Sequence, residues 1–595
     1  MNRLLIPTLL AGALSAQFMP DAHAAANVQI RLPERFRVLT DQLFDLRVEA
    51  TDLADLGAGL TVKVNGENVT AHLPSPEIST DNDDNPGSLD KAWTFRSISF
   101  GAAGVATVEA FIEDGASTTR IGIQEFDLKN KKGKNIILFI GDALGTAYRD
   151  LGRIVAKSTD NRFREGFFDD LQEMDQMPVS GMVMTYALDR IVPDSANAAT
   201  AWASGNKTVD GALNAFPDND DWRFFSFPAV PIQDRKQFAL NNPRVETLWE
   251  YMKRRHGYKT GIVSTADIAD ATPAGEGGHT ITRSLLKDVA RQYVDGVFTS
   301  GTAFDVILGG GKEHFISRTV SNSGDTRNLA NELVAAGFLY VQTRTELNAL
   351  PASGAASGRL LGLFRTGNMN VAYDKLGLVR PPDEPVPNFG GFTDQPFLEE
   401  MTAKAIATLS KDGGPFILMV EGASIDKQSH PNHAAGQIWD TIEFDKSVGV
   451  GRAFAADAGK KYETLVLVTA DHDQSIHILG LVDTTVAGAT QNIRSGVGFT
   501  GLVGEVDFFP DYENMANGYP SNSNRYRIAV GYRTGGHTGS SVPLTAEGPG
   551  ALLFTGYYDQ TDIFFKMARV LSSETQPLDV GLQKKSQFNI IEQNY

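Results

Sequence analysis

Asn135-Ile-Ile-Leu-Phe-Ile140-Gly141-Asp142 is a continuous apolar run that ends on a glycine and a carboxylate. A strand buried on both faces of a parallel sheet has this composition, whereas a half-exposed strand alternates. Open α/β sheets gather their ligands at the C-terminal ends of such strands, where Asp142 stands. The same order recurs along the chain. Pro415-Phe-Ile-Leu-Met-Val420 leads to Glu421, Leu465-Val-Leu-Val-Thr-Ala470 leads to Asp471-His472, and the weaker Thr260-Gly-Ile-Val-Ser-Thr265 leads towards Asp270. Helical stretches such as 284–297 and 398–409 lie between these runs. Strands alternating with helices predict an α/β domain over residues 133–572, a doubly wound, mostly parallel sheet with helices on both faces.

The chain before this domain is built differently. Residues 1–24 hold Arg3, an apolar stretch from Leu4 to Ala16 and the small-x-small triplet Ala22-His23-Ala24. That pattern is a secretory signal peptide cut near Ala24, and it predicts a periplasmic or secreted protein. Residues 25–130 have period two. Phe44, Leu46, Val48 and Ala50 alternate with Asp45, Arg47 and Glu49, and Asn65-Gly66 marks a hairpin. A small β-sandwich accessory domain is expected there. The acidic segment Asp81-Asn-Asp-Asp-Asn85 reads as a solvated loop, since no full calcium-ligand pattern surrounds it. Residues 478–533 are rich in Gly, Asn, Tyr and Thr and read as a lid or crown-like excursion from the sheet. Residues 573–595 read as a polar C-terminal tail.

Composition removes several function classes. The 595 residues carry a net charge of -18, so the surface repels nucleic acid and anionic membranes. An anionic substrate therefore needs strong local positive charge. The absence of cysteine excludes disulfides, thiolate zinc sites and cysteine nucleophiles. Beyond the N-terminus no stretch is long and apolar enough to cross a membrane.

Ile191-Val-Pro-Asp-Ser-Ala-Asn-Ala-Ala-Thr-Ala-Trp-Ala-Ser-Gly205 reads as a helix with a Pro-Asp start and a glycine stop. Ser195 sits at its N-terminus, either as a simple cap or as a nucleophile beside a positive helix end. Trp202 has the spacing of helix core. Five of the ten histidines fall in the last third of the chain, near Asp and Glu. Asp426 and His430 are four apart and share one helix face, Asp471-His472 follows a buried strand, and His537 lies in a glycine-rich loop. Together they offer oxygen and imidazole ligands suited to zinc or a similar ion. Asp142, Thr272 and Glu421 offer oxygen only, which suits magnesium. His279, His433 and His477 read as structural.

VPDSANAATAW, STADIADATP with Arg283 downstream, VEGASIDKQSH, VTADHD and GGHTG, in this order, resemble the motif set of the alkaline phosphatase family. The resemblance covers residues 133–572 and leaves the sandwich outside. It implies hydrolysis of small-molecule phosphate monoesters through a phosphoserine on Ser195. It implies two zinc-type ions, one on Asp426, His430 and His537, the other on Asp142, Asp471 and His472. It implies one magnesium ion on Asp142, Thr272 and Glu421. Arg283 matches the arginine that forks onto phosphate oxygens. Asp270 and Lys427 match positions that tune the magnesium site and the phosphate through water, in the bacterial pattern. A homodimer is a possible assembly. Two other readings stand beside this one: a phosphodiesterase on the same scaffold, and a catalytically degenerate phosphate-binding protein. The segment Gly141-Asp-Ala-Leu-Gly145 departs from the family's usual GDGMG and puts the loop shape at Ala143 and Leu144 in question.

Overall fold

The computed structural model describes residues 25–80, 89–128, 133–157, 170–218, 240–375, 394–458, 464–483, 502–507 and 526–572. The signal-peptide segment, the Asp81–Asn85 loop, the C-terminal tail and much of 478–533 lie outside these residues.

Ten strands form the central sheet. From one edge to the other they are Leu339–Val341, Leu360–Leu363, Val306–Gly310, Lys259–Asp267, Phe416–Gly422, Asn135–Gly141, Thr464–Thr469, Val542–Glu547, Val179–Met184 and Gly556–Asp559. The apolar run from Asn135 is buried at every position, between parallel partners Phe416–Gly422 and Thr464–Thr469. Its register sets Ile140 opposite Glu421 and opposite Thr469. The carboxylates predicted at three strand ends are therefore neighbours in space. Val542–Glu547 is the one antiparallel member.

Helices pack in two groups. Ala434–Ala458 contacts both Thr146–Lys157 and Leu398–Ser410. Ser195–Ser204 contacts Leu248–His256, Ala271–Ala274 and Thr561–Leu571. Phe139 on the central strand meets Phe444 of the long helix edge to face, with ring centroids 6.1 Å apart. Trp202 is fully buried, as its spacing predicts. Within the stretch read as an excursion, Asp473–Asp483, Tyr526–Thr538 and Leu502–Asp507 form a three-stranded antiparallel sheet, with Tyr526–Thr538 in the middle. Its central strand carries His537 back beside Gln474. Among the described residues no helix is long and apolar enough to cross a membrane.

The turn after the central strand is tight. Leu144 N–H donates to Gly141 O at 3.0 Å, Gly145 N–H to Ala143 O at 2.7 Å, and Ala143 has φ 69°. Alanine thus occupies a left-handed position, which costs an L-residue roughly 1–2 kcal/mol. Gly145 cannot carry a side chain, because a Cβ there would lie 1.7 Å from Asp473 Oδ1. The departure from the family motif therefore leaves the turn in place, at the cost of strain on Ala143.

The N-terminal region has a four-stranded and a five-stranded sheet around a core that includes Val48, Val62, Trp93, Val108 and Ile121. Alternation on Phe44–Thr51 normally means polar side chains in water. Here Asp45, Arg47 and Glu49 are buried too. Asp45 and Arg47 face the α/β domain, and Glu49 pairs with Arg47. Asp45 accepts from Arg244 Nε at 2.8 Å, from Arg96 at 2.7 Å and from Ser97 N–H at 2.9 Å. Arg47 Nε lies 3.4 Å from Asp218. Phe216 and Val245 of the α/β domain enter the sandwich core.

Two stability predictions follow from these contacts. Burial alone would push the Asp45 carboxyl up, but the Arg244 and Arg96 charges outweigh it and hold it below the usual range. Its stabilisation is therefore present above pH ~4 and lost as pH falls below that. Asp45→Asn should cost about 3 kcal/mol near neutrality and flatten the acid limb of Tm against pH; an unchanged acid limb would remove Asp45 as its source. Ala143→Gly should stabilise by about 0.5–1 kcal/mol, the relieved strain less the added chain entropy, measured by denaturant unfolding.

Candidate active site

Ser195 is the first residue of its helix, and the cap is its neighbour. Asp194 accepts from Ala196 N–H at 3.0 Å, and its own backbone N–H donates to Asn197 Oδ1 at 2.8 Å. The Ser195 hydroxyl is thereby released from capping. Gly205 closes the helix at φ 79°, where a Cβ would strike Phe564 and Phe565. Ser195 is buried, and its Oγ lies 3.3 Å from His472 Nε2.

Two clusters adjoin this hydroxyl. In the first, Asp142, Asp471 and His472 each bring a ligand atom within 4.8 Å of the others. His472 Nε2 is 3.0 Å from Asp471 Oδ2 and 3.5 Å from Asp142 Oδ1. Asp471 is held by Ala143 N–H at 3.0 Å and His472 N–H at 2.8 Å, so the strained turn aims it. In the second cluster, Asp426 lies between His430 Nε2 at 3.2 Å and His537 Nε2 at 3.5 Å. The far nitrogens of both imidazoles face carbonyls, His430 Nδ1 on Gly535 O at 2.7 Å and His537 Nδ1 on Pro193 O at 2.8 Å. Such bonds fix the tautomer and point Nε2 inwards. The His472 and His537 rings stack with centroids 3.5 Å apart, so the clusters are contiguous.

Glu421 stands on the adjoining strand end and takes a short bond from the Ser264 hydroxyl. Thr272 lies in the helix Ala271–Ala274, which packs on the strands carrying Ser264 and Glu421. Arg283 closes the other side. One terminal nitrogen donates to Asp194 and the other to Asp270, both at 2.6 Å. Lys427 Nζ reaches the second oxygen of Asp270 at 2.8 Å.

The electrostatics demand cations. Burial, reinforced by the Asp426, Asp471 and Glu421 charges, pushes the Asp142 carboxyl well above its ordinary range. Burial pushes Glu421 up to about 8 and pulls His472 down to about 4. Asp270 moves the other way: burial would raise it, but Lys427 and Arg283 outweigh that and hold it far below the usual range. Both nearby side-chain cations are thus already committed to Asp270 and Asp194. Asp142 Oδ1, Asp426 Oδ1, Asp471 Oδ2 and Thr272 Oγ1 are buried without a hydrogen-bond partner. Buried carboxylate oxygens in this state are costly unless a positive ion completes them. The donor set, carboxylate and imidazole in two clusters with an oxygen-only set beside them, fits divalent metal ions.

The structure thus brings Ser195, Asp142, Asp426, His430, Asp471, His472 and His537 into one cluster, with Arg283, Asp270 and Lys427 joined along its side. The three histidines read as structural make contacts of their own. His279 bonds Glu250 at 3.0 Å, His433 bonds Gln428 at 3.1 Å, and His477 bonds Ser475 O at 2.9 Å. Sequence reasoning passed over Ser264, the Asp194 anchor of Arg283, and the Pro193 and Gly535 carbonyls. Ser264 lies inside a quoted motif and Asp194 was visible as a helix start. The carbonyls carry no residue-type signal.

The family model described as alkaline phosphatase matches residues 133–573. An alkaline phosphatase of Escherichia fergusonii is 32% identical over 470 residues, 75% of this chain and 87% of the relative. Streptomycin-6-phosphate phosphatase of Streptomyces griseus is 31% identical over 463 residues, 72% of this chain and 89% of the relative. The solved alkaline phosphatase of the Antarctic bacterium TAB5 is 25% identical with a TM-score of 0.51, covering 74% of this chain and 99% of that one, and a variant of it carries bound Mg. With a family match running from just before the central strand to the last described helix, this chain belongs to the alkaline phosphatase family and is a phosphate monoester hydrolase.

Proposed function

We propose that Ser195 is the nucleophile of this phosphatase and that turnover passes through a phosphoserine. The observation that carries the proposal is the position of Ser195 Oγ, freed by the Asp194 cap and 3.3 Å from His472 Nε2, between the ligand clusters and Arg283. Two zinc-type ions would be held by Asp426, His430 and His537 and by Asp142, Asp471 and His472; one magnesium would be held by Asp142, Thr272 and Glu421. When bound, such cations neutralise phosphate charge and activate hydroxyl and water as Lewis acids.

The chain's own residues do the positioning. Phosphoryl transfer requires an in-line nucleophile and compensation of charge on the phosphate oxygens. The Ser195 hydroxyl attacks phosphorus, the Oγ–P bond forms, and the ester P–O bond breaks to release the alcohol. Water then cleaves the Oγ–P bond and returns the hydroxyl. Arg283 is held by two carboxylates through one N–H on each terminal nitrogen, which leaves its fork oriented and its remaining N–H groups for two phosphate oxygens. A terminal phosphate has the oxygens to use this fork, and a diester has one fewer. Asp270 fixes Arg283 and Lys427 relative to one another, so both cationic groups are ordered before substrate arrives. The pattern at Arg3, Leu4–Ala16 and Ala22-His23-Ala24 supports export to the periplasm or the medium.

Ser195→Ala should lower kcat/KM for 4-nitrophenyl phosphate on the order of 10³-fold or more, with inorganic phosphate still inhibiting. Acid quenching of the unmodified enzyme should trap phosphate on the Ser195 peptide, read by mass spectrometry. Undiminished turnover in the variant would exclude Ser195. Dialysis against a chelator should abolish activity and lower Tm. Zinc and magnesium at about 100 times their Kd should restore about 2.7 kcal/mol per independent site. A Tm indifferent to chelation and add-back would count against the ligand assignments.

A further inference from the structure

Residues 184–191, just before the Ser195 helix, line a groove of about 600 Å³ whose walls include Leu188, Ile191, Tyr186 and Tyr557. Its size is that of small-molecule sites. Ile191 is 82% exposed and Tyr557 63% exposed, unusual for large apolar side chains standing together. Two chain segments lead from the walls of the groove to the catalytic centre. Ile191 precedes Ser195 by four residues, and Gly539 follows His537 by two. These segments are tied together: Pro193 O faces His537 Nδ1 at 2.8 Å, and Gly539 packs on Ile191, where a Cβ would sit 3.1 Å from the Ile191 side chain.

Among the described residues the cations along the groove are already paired. Arg190 pairs with Asp210 at 3.2 Å, and Asp189 accepts from Asp210 N–H at 2.8 Å. Lys207 lies behind Tyr186, its Nζ 4.0 Å from the ring centroid and 3.7 Å from Asp559. Among the described residues a second anionic group therefore finds no unpaired cation here, whereas an aromatic or aliphatic surface finds Leu188, Ile191 and Tyr557.

We propose that this groove is a leaving-group subsite, which takes the apolar or aromatic alcohol portion of the phosphate monoester while phosphorus sits at Ser195. The proposal rests on Ser195 as the nucleophile. It makes Leu188, Ile191 and Tyr557 specificity-determining residues, outside the phosphate and cation machinery. An enzyme with this subsite prefers aryl monoesters of large apolar area over smaller ones of equal chemical reactivity.

The test compares kcat/KM for 2-naphthyl phosphate and phenyl phosphate, whose leaving groups have closely matched basicity. The extra ring buries on the order of 60 Å², which corresponds to a preference of about ten-fold. Leu188→Ser and Ile191→Ser, singly and together, should bring that ratio close to one. Turnover of phenyl phosphate and inhibition by inorganic phosphate should not change. Tyr557→Ser, on a different strand, should act in the same direction. A ratio near one in the unmodified enzyme, or a ratio that survives the double substitution, overturns the subsite. Sedimentation of the same variants adds a second check: a dimer that dissociates while the ratio is unaltered assigns this face to a second copy of the chain and overturns the proposal. Acid-quenched phosphate found on a residue other than Ser195 would overturn the nucleophile reading itself; phosphate on Ser195 without a naphthyl preference overturns the groove alone.

Discussion

Mutual repulsion among buried carboxylates is the constraint on which this structure depends. Parallel strands bring Asp142, Glu421 and Asp471 to one edge of the sheet, and the short Ser424–Ser429 helix adds Asp426. Their field makes the centre a sink for positive charge in a protein that is strongly acidic overall. Among the described residues the side-chain cations close by are Arg283 and Lys427, and both are spoken for by Asp194 and Asp270. The protein alone therefore leaves the centre electrostatically incomplete. That incompleteness suits a catalyst for phosphate esters, since a dianionic substrate can approach such a surface only through bound cations and an ordered guanidinium.

The surrounding fold serves to hold this arrangement rigid. The His430 and His537 ring orientations are set by backbone carbonyls, Arg283 is tethered at two nitrogens, and the Asp471 carboxylate is fixed by two backbone N–H groups. A strained alanine at position 143 supplies one of those N–H groups. Placing conformational strain next to a functional carboxylate is a common arrangement, because the surrounding contacts over-determine the turn.

Much of this was legible in the sequence. The run from Asn135 to Ile140 is apolar at each position because both of its faces are covered, and a carboxylate directly after such a run can only lie at the sheet edge. The strand-to-carboxylate order at 420–421 and 470–472 made the convergence of Asp142, Glu421 and Asp471 foreseeable. The cap was less legible, because Asp194 and Ser195 are both good N-cap residues and only coordinates separate them. The antiparallel direction of Val542–Glu547 was hidden for a related reason: direction is a long-range property, and its alternating sequence suits either sense. The buried polar face of Phe44–Thr51 was hidden most deeply. Asp45, Arg47 and Glu49 read as a solvated stripe until Arg244 and Asp218, some 170 residues or more downstream, are seen against them.

That covered face changes what the sandwich is. A domain joined by a flexible linker samples many orientations, and anything it binds is delivered over a range of distances. This one is keyed into the catalytic domain by ion pairs, by Phe216 and Val245 in its core, and by a strand-like bridge between Phe44 and Val245. The sandwich is consequently held at one set distance and angle to the catalytic edge.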